Sequence, residues 1–147
     1  MSGRASATPA ETDGLSAVFV AQQQAVFAYG VLGARVGPEE KAFARSCFDA
    51  RRAWRDRTAA ALRDRGIARP ATAASYDVTV TNRAAAVALA VRVEEGLGQR
   101  LRDLVVSAVD PGLRELAVEG LRDAAVRATA WRLVGGIHPA SVALPGS

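Results

Sequence analysis

The chain contains one cysteine, Cys47, and one histidine, His138. A lone cysteine excludes an intramolecular disulfide, so the fold must close on packing, and the chain suits a reducing compartment. One histidine and one cysteine leave no Ser/His/Asp set and no CxxC pair, and no glycine-rich phosphate loop is visible. No catalytic residue and no cofactor is therefore expected. Aromatic residues make up only 5% of the chain, and Lys41 is its single lysine. The first residues, MSGRASATPAETDG, lack the apolar stretch of a signal peptide. No apolar run is read as reaching the ~18 residues that a spanning helix needs, so a cytoplasmic protein without a membrane partner is expected.

What is present is alanine, leucine, valine and arginine. The chain has 147 residues, half of them hydrophobic, which suits one domain with one continuous core. Alanine-rich, aromatic-poor composition favours closely packed helices over a sheet. The net charge is +4, from 19 basic and 15 acidic residues. Such an arginine bias is weak evidence for a nucleic-acid partner, and none is expected.

Residues 1–12 read as a mobile tail, and Asp13 as the cap of a first helix over roughly 14–36. Its apolar side collects Leu15, Val18, Phe19, Ala25, Val26, Tyr29, Leu32 and Gly33, with Gln22 at the centre of that side. Gly37-Pro38 separates it from a second helix over about 39–65, closed by Gly66. The inner face of the second helix is expected to hold Phe43, Cys47, Ala50, Trp54, Thr58 and Ala61, with Arg51 flanking it. Arg45, Arg52 and Arg63 share the opposite face. Residues 67–81 carry Pro70 and the β-branched run VTVT and read as a non-helical connection. Fifteen residues can span ~50 Å, and a 26-residue helix is ~39 Å long, so this segment can run the length of a bundle. Thr81 or Asn82 caps a third helix reaching Ala108. Asp110-Pro111 is an N-cap followed by proline at the first helical position, opening a fourth helix to about Val134. Residues 135–147 form a C-terminal tail. The expected fold is therefore all-α: a ferritin-like four-helix bundle over 13–134, two antiparallel hairpins joined by one long crossover.

One residue of the third helix does not fit its face. Val87, Ala90, Val91, Leu97, Leu101, Leu104 and Val105 form an apolar stripe, and Glu94 lies near its centre. A carboxylate there needs a partner or a proton. Counting from the hairpin turns puts Gln22, Arg51, Glu94 and Arg127 near one height, a polar layer at mid-bundle. An ion pair of Glu94 with Arg127 or Arg51 is expected, with Asp123 as a second partner for Arg127 one turn earlier.

Metal proteins of ferritin-like architecture place their site at this level, with a carboxylate on one helix of each pair and Glu-x-x-His on the other. Here the first helix offers the neutral amide of Gln22, and the second has no Glu-x-x-His. The fourth has Glu119 and Arg122 at that spacing, and arginine repels a cation. No metal ligand is expected.

The strings QQQAVFAYGVLGARV, AVALAVRVEEGLGQRLRDLV and LRELAVEGLRDAAVRATAWR resemble an actinobacterial ferritin-like family of unknown function, of the domain of unknown function 4439 type. The resemblance runs from about Leu15 to Leu133. That family's first helix typically reads A-E-H-x-A-V-Y-x-Y-G. Gln22 stands here at its Glu position, Gln23 at its His position and Phe27 at its first Tyr position. The resemblance implies the bundle and carries no established activity, and the departures remove groups that could bind metal.

Three functional readings follow. The leading one is a non-catalytic, metal-free bundle acting by association, as a homodimer or with another protein. The second is a polar or anionic ligand site at Gln22, Tyr29, Arg51, Glu94 and Arg127. The third is polyanion binding through the arginine face of the second helix, with steep salt dependence.

Overall fold

The computed structural model describes residues 6–141. Four helices make up its regular structure: α1 Pro9–Leu32, α2 Lys41–Asp64, α3 Arg83–Ser107 and α4 Pro111–Val134. The described residues contain no strand, and VTVT lies in the extended connection. The chain is an all-α four-helix bundle.

Each helix start has a local cause. Thr8 caps α1: its hydroxyl accepts from the Glu11 amide at 3.1 Å, and the Glu11 carboxylate accepts from the Thr8 amide at 2.9 Å. Pro9 occupies the first helical position, where a missing N–H costs nothing. The helix therefore begins ahead of the expected Asp13 cap, and residues 9–12 belong to the bundle rather than to a tail. Asn82 caps α3 by accepting from the Ala85 amide at 2.8 Å, and Asp110 caps α4 by accepting from the Leu113 amide at 3.2 Å. Gly66, at φ +68°, supplies the left-handed turn that ends α2. Of the rest of the expected N-terminal tail, residues 6–8 lead into the helix and residues 1–5 lie outside the described residues, as do residues 142–147.

Contacts at the two ends fix the topology. At one end the Glu11 carboxylate accepts from the Val109 and Asp110 amides, at 2.7 and 2.8 Å, and Arg65 donates to Asp110 at 2.6 Å. At the other, Arg83 Nε donates to Glu40 at 2.9 Å. Thus α1 runs antiparallel to α2 and to α3, and α4 antiparallel to α3. The crossover climbs the full bundle from the end of α2 to the start of α3. On its way Arg69 lies over the Phe19 ring, Tyr76 meets Phe27 edge-on at 5.5 Å, and Val80 packs with Tyr29 and Leu32.

This placement explains α1. None of residues 14–34 carries a charge. The helix is long and apolar enough to cross a membrane by length and composition, which corrects the expectation that no run is. It is apolar on several sides because α2, α3 and the crossover each pack against one of them.

The core divides in two. One half holds Leu15, Val18, Phe19, Leu62, Leu97, Leu101, Leu104 and Leu113. The other holds Tyr29, Leu32, Cys47, Val87, Ala90, Val91 and Trp131. A polar layer separates them.

Candidate functional site: a buried arginine-centred layer

Arg51 sits at the centre of this layer and is 0% exposed. The flanking position expected from α2 is corrected. The buried face of that helix is Ala44, Cys47, Arg51, Thr58, Ala61 and Leu62, while Phe43, Ala50 and Trp54 are half-buried. The helix is rotated so that its arginine meets acceptors on the three other helices. Arg51 Nη1 donates to Gln22 Oε1 on α1 at 3.1 Å, and Nη2 donates to Asp123 Oδ2 on α4. Arg51 Nε lies 3.5 Å from Glu94 Oε1 on α3, an ion pair without hydrogen-bond geometry.

The surrounding groups extend the network. Tyr29 donates its hydroxyl to Glu94 Oε1 at 2.7 Å, and Trp131 Nε1 donates to the Tyr29 oxygen at 3.0 Å. Arg127 Nε donates to Asp123 Oδ2 at 3.0 Å, and its Nη1 reaches Cys47 Sγ at 3.4 Å. Two cations, Arg51 and Arg127, thereby face two anions, Glu94 and Asp123, and the layer is balanced. The structure brings Gln22, Tyr29, Arg51, Glu94 and Arg127 together. It makes Arg51, rather than Arg127, the arginine that contacts Glu94.

Burial dominates the ionisation of the layer. It pushes the Glu94 carboxyl above its ordinary range, opposed by the Arg51 charge, the Tyr29 hydroxyl and the Arg127 charge. It pushes the Tyr29 phenol well up, helped by the negative charge of Glu94. It pulls the Arg51 guanidinium down, opposed by Glu94. Three polar atoms of the layer, Gln22 Nε2, Arg51 Nε and Glu94 Oε2, have no hydrogen-bond partner among the described residues.

The donor chemistry does not fit a metal ion. The oxygens of Gln22, Glu94 and Asp123 converge on a guanidinium, which would repel a divalent cation. Among the described residues no group of three or more His, Cys, Asp or Glu side chains could hold one. His138 is exposed, beyond the end of α4. What the layer does well is register: one planar fork ties four helices at one height.

Sequence reasoning missed Asp123 as an Arg51 partner and the indole N–H of Trp131 as a donor. Asp123 carried a signal, one turn before Arg127, but its second partner across the bundle is set by the rotation of α2. Of the arginine face of α2, Arg45 has an acidic partner, Arg52 lies over the Phe48 ring, and neither Arg52 nor Arg63 makes an ion pair among the described residues, while Arg55 and Arg57 beside the face are paired. Arg45 pairs with Asp49 at 3.4 Å, Arg55 with Asp56 at 2.9 Å and Arg57 with Glu119 at 2.8 Å.

Residues 14–147 match the model of a family described as a domain of unknown function (DUF4439). Among solved structures, the chain is similar to the crystal structure of a conserved hypothetical protein, rv2844, from Mycobacterium tuberculosis. The two share 29% identity and superpose with a TM-score of 0.83, over 92% of this chain and 97% of the other. No curated protein matches.

Proposed function

The chain belongs to the DUF4439 family, and on that premise we propose that it is a metal-free, non-catalytic bundle that acts by association with a second copy of itself. The carrying observation is Arg51. The mid-bundle position where a bundle of this connectivity would hold a cation is filled by a guanidinium that Gln22, Glu94 and Asp123 engage. With the interior committed to its own ion pairs, function falls to the surface.

The surface that suits association is the outer face of α4. Val126 and Leu133 are 69% and 62% exposed, and Ala130 lies between them at helical spacing. The charged residues within this stretch are turned away or paired. Arg127 goes to Asp123 and Arg132 to Glu95. A groove of about 320 Å³ beside the strip is lined by Ala125, Val126, Ala128 and Thr129. A neutral i, i+4, i+7 strip is the pattern by which one helix packs on another, and a second α4 presents the same strip. Polyanion binding through α2 has less support, because Arg45 of its arginine face and Arg55 and Arg57 beside it already have acidic neighbours, which leaves Arg52 and Arg63.

Sedimentation equilibrium at micromolar concentration tests this reading. A dimer is expected for the parent and a monomer of unchanged helicity for Val126→Glu/Leu133→Glu. A parent that stays strictly monomeric across the range removes it.

A further inference from the structure

A second feature lies on the opposite side of α3, facing α1. Arg92, Gly96 and Arg100 follow each other at i, i+4 and i+8, so they form one ridge with a gap in the middle. The Cα atoms of the two arginines are about 12 Å apart along such a helix. Both line a groove of about 270 Å³ that also takes in Gln24, Ala21 and Gln99. An adjoining groove of about 370 Å³ shares Ala21, Gln24 and Arg100 and continues along α1 over Ser16, Ala17 and Val20.

Three observations, taken together, mark this ridge. First, neither arginine makes an ion pair among the described residues. Glu95, one turn along, is turned to Arg132, and Asp103 pairs with neither. Among the other exposed arginines, Arg45 and Arg57 have acidic partners, while Arg35, Arg52 and Arg63 make no ion pair among the described residues. Second, Gly96 weakens the middle of a long helix, and packing does not call for it. A Cβ built there meets nothing within 4 Å, whereas one at Gly120 meets Leu101 at 2.9 Å. The glycine keeps the gap between the arginines open. Third, the groove is chemically graded, from two guanidinium groups and two amides to the small apolar surface of α1.

We propose that the α1–α3 groove binds a small amphiphilic oxyanion, with its phosphate or carboxylate between Arg92 and Arg100 above Gly96 and its apolar body along Ala17, Val20 and Ala21. Guanidinium groups suit either head group, since both offer oxygens in the plane of the fork. This site is separate from the Arg51 layer and from the α4 strip.

Calorimetric titration at low salt tests it with octyl phosphate, octanoate, inorganic phosphate and the uncharged octyl glucoside. Octyl phosphate or octanoate should bind at least about tenfold more tightly than inorganic phosphate and octyl glucoside, and the preferred one identifies the head group. Arg92→Gln/Arg100→Gln should weaken that binding about tenfold or more. Gly96→Leu should weaken it similarly while raising the thermal midpoint, because leucine is the better helix former and fills the gap. The Gly96 variant separates a built site from loose attraction to surface arginines, which filling the gap would leave intact. Binding unchanged by Gly96→Leu, binding independent of the arginines, or no binding of either amphiphile at millimolar concentration overturns the proposal.

Discussion

Arg51 on α2 reaches across the bundle to Glu94 on α3, with both side chains fully buried and Nε 3.5 Å from Oε1. No other basic side chain is as deeply buried among the described residues. The pair is shared, since Asp123 and Gln22 also hold the guanidinium and Tyr29 also holds the carboxylate. That sharing decides what single substitutions do.

Arg51→Met leaves Asp123 with Arg127 and strips Glu94 of its only direct cationic partner, with the Tyr29 hydroxyl still on it. The expected loss is about 3–5 kcal/mol, that of a buried pair stripped of one partner. Glu94→Gln leaves Arg51 with Asp123, so its loss should be smaller, about 1–4 kcal/mol. The double variant Arg51→Met/Glu94→Gln should recover much of the larger loss, because it buries no uncompensated charge at that pair. Urea denaturation of the four proteins supplies the cycle. A double variant as unstable as the sum of the singles would mean that the two side chains act independently.

Two carboxylates should give opposite pH signatures. Burial raises the folded-state value of Glu94, so the native state holds its proton more tightly than the unfolded chain. That contribution is full below the ordinary carboxyl range and fades as pH rises through the raised value. Glu11 is lowered by the hydrogen bonds it accepts from the backbone at Asp110 and Thr8. Its contribution is full above the ordinary range and is lost as pH falls through the lowered value. Thermal midpoints against pH for the parent, Glu94→Gln and Glu11→Gln separate them. Glu11→Gln should be destabilised at neutral pH and flatter in acid, and Glu94→Gln should lack the decline with rising pH. A parent and Glu11→Gln with parallel acid limbs would contradict the role given to Glu11.

Glu11 also joins the start of α1 to the α3–α4 turn through two backbone amides. Glu11→Ala removes those bonds and half of the capping box, and should cost about 2–3 kcal/mol. Hydrogen exchange should then speed up in the first turn of α1 and at Val109. Protection unchanged there would show that the clamp is dispensable.

Glycines in α3 and α4 should respond in opposite directions. Gly120 is buried, and a Cβ there would come within 2.9 Å of Leu101 and 3.5 Å of Trp54. Gly120→Ala should lower stability by about 1–2 kcal/mol despite the better helix propensity of alanine. Gly96→Ala meets nothing and should raise it by up to about 1 kcal/mol. A stabilising Gly120→Ala would show that Leu101 has room to move.

Much of this fold is legible in the sequence because its punctuation is local. Asp110-Pro111 and Asn82 mark helix starts through chemistry within four residues. Glu94 stands out because a carboxylate interrupts an otherwise regular stripe. Thr8-Pro9-Ala10-Glu11 carries a capping box as well, but small polar residues and a proline read equally as coil. The rotation of α2 could not be read the same way. Ranking its faces by hydrophobicity turns Trp54 inward and leaves Arg51 on the flank. The observed rotation is favoured by acceptors on three other helices, a non-local cause. Asp123 is hidden for the same reason. Its near neighbour Arg127 accounts for it locally, and its bond to Arg51 exists only once the helices are assembled.

Elemental analysis of the purified protein, before and after incubation with iron(II), manganese(II) and zinc and removal of excess, tests most directly whether Arg51 takes the place of a metal. With a guanidinium among the oxygens of Gln22, Glu94 and Asp123, retained metal should stay below about 0.1 ion per chain. One or two ions per chain, retained by the parent and lost in Glu94→Gln, would contradict the account.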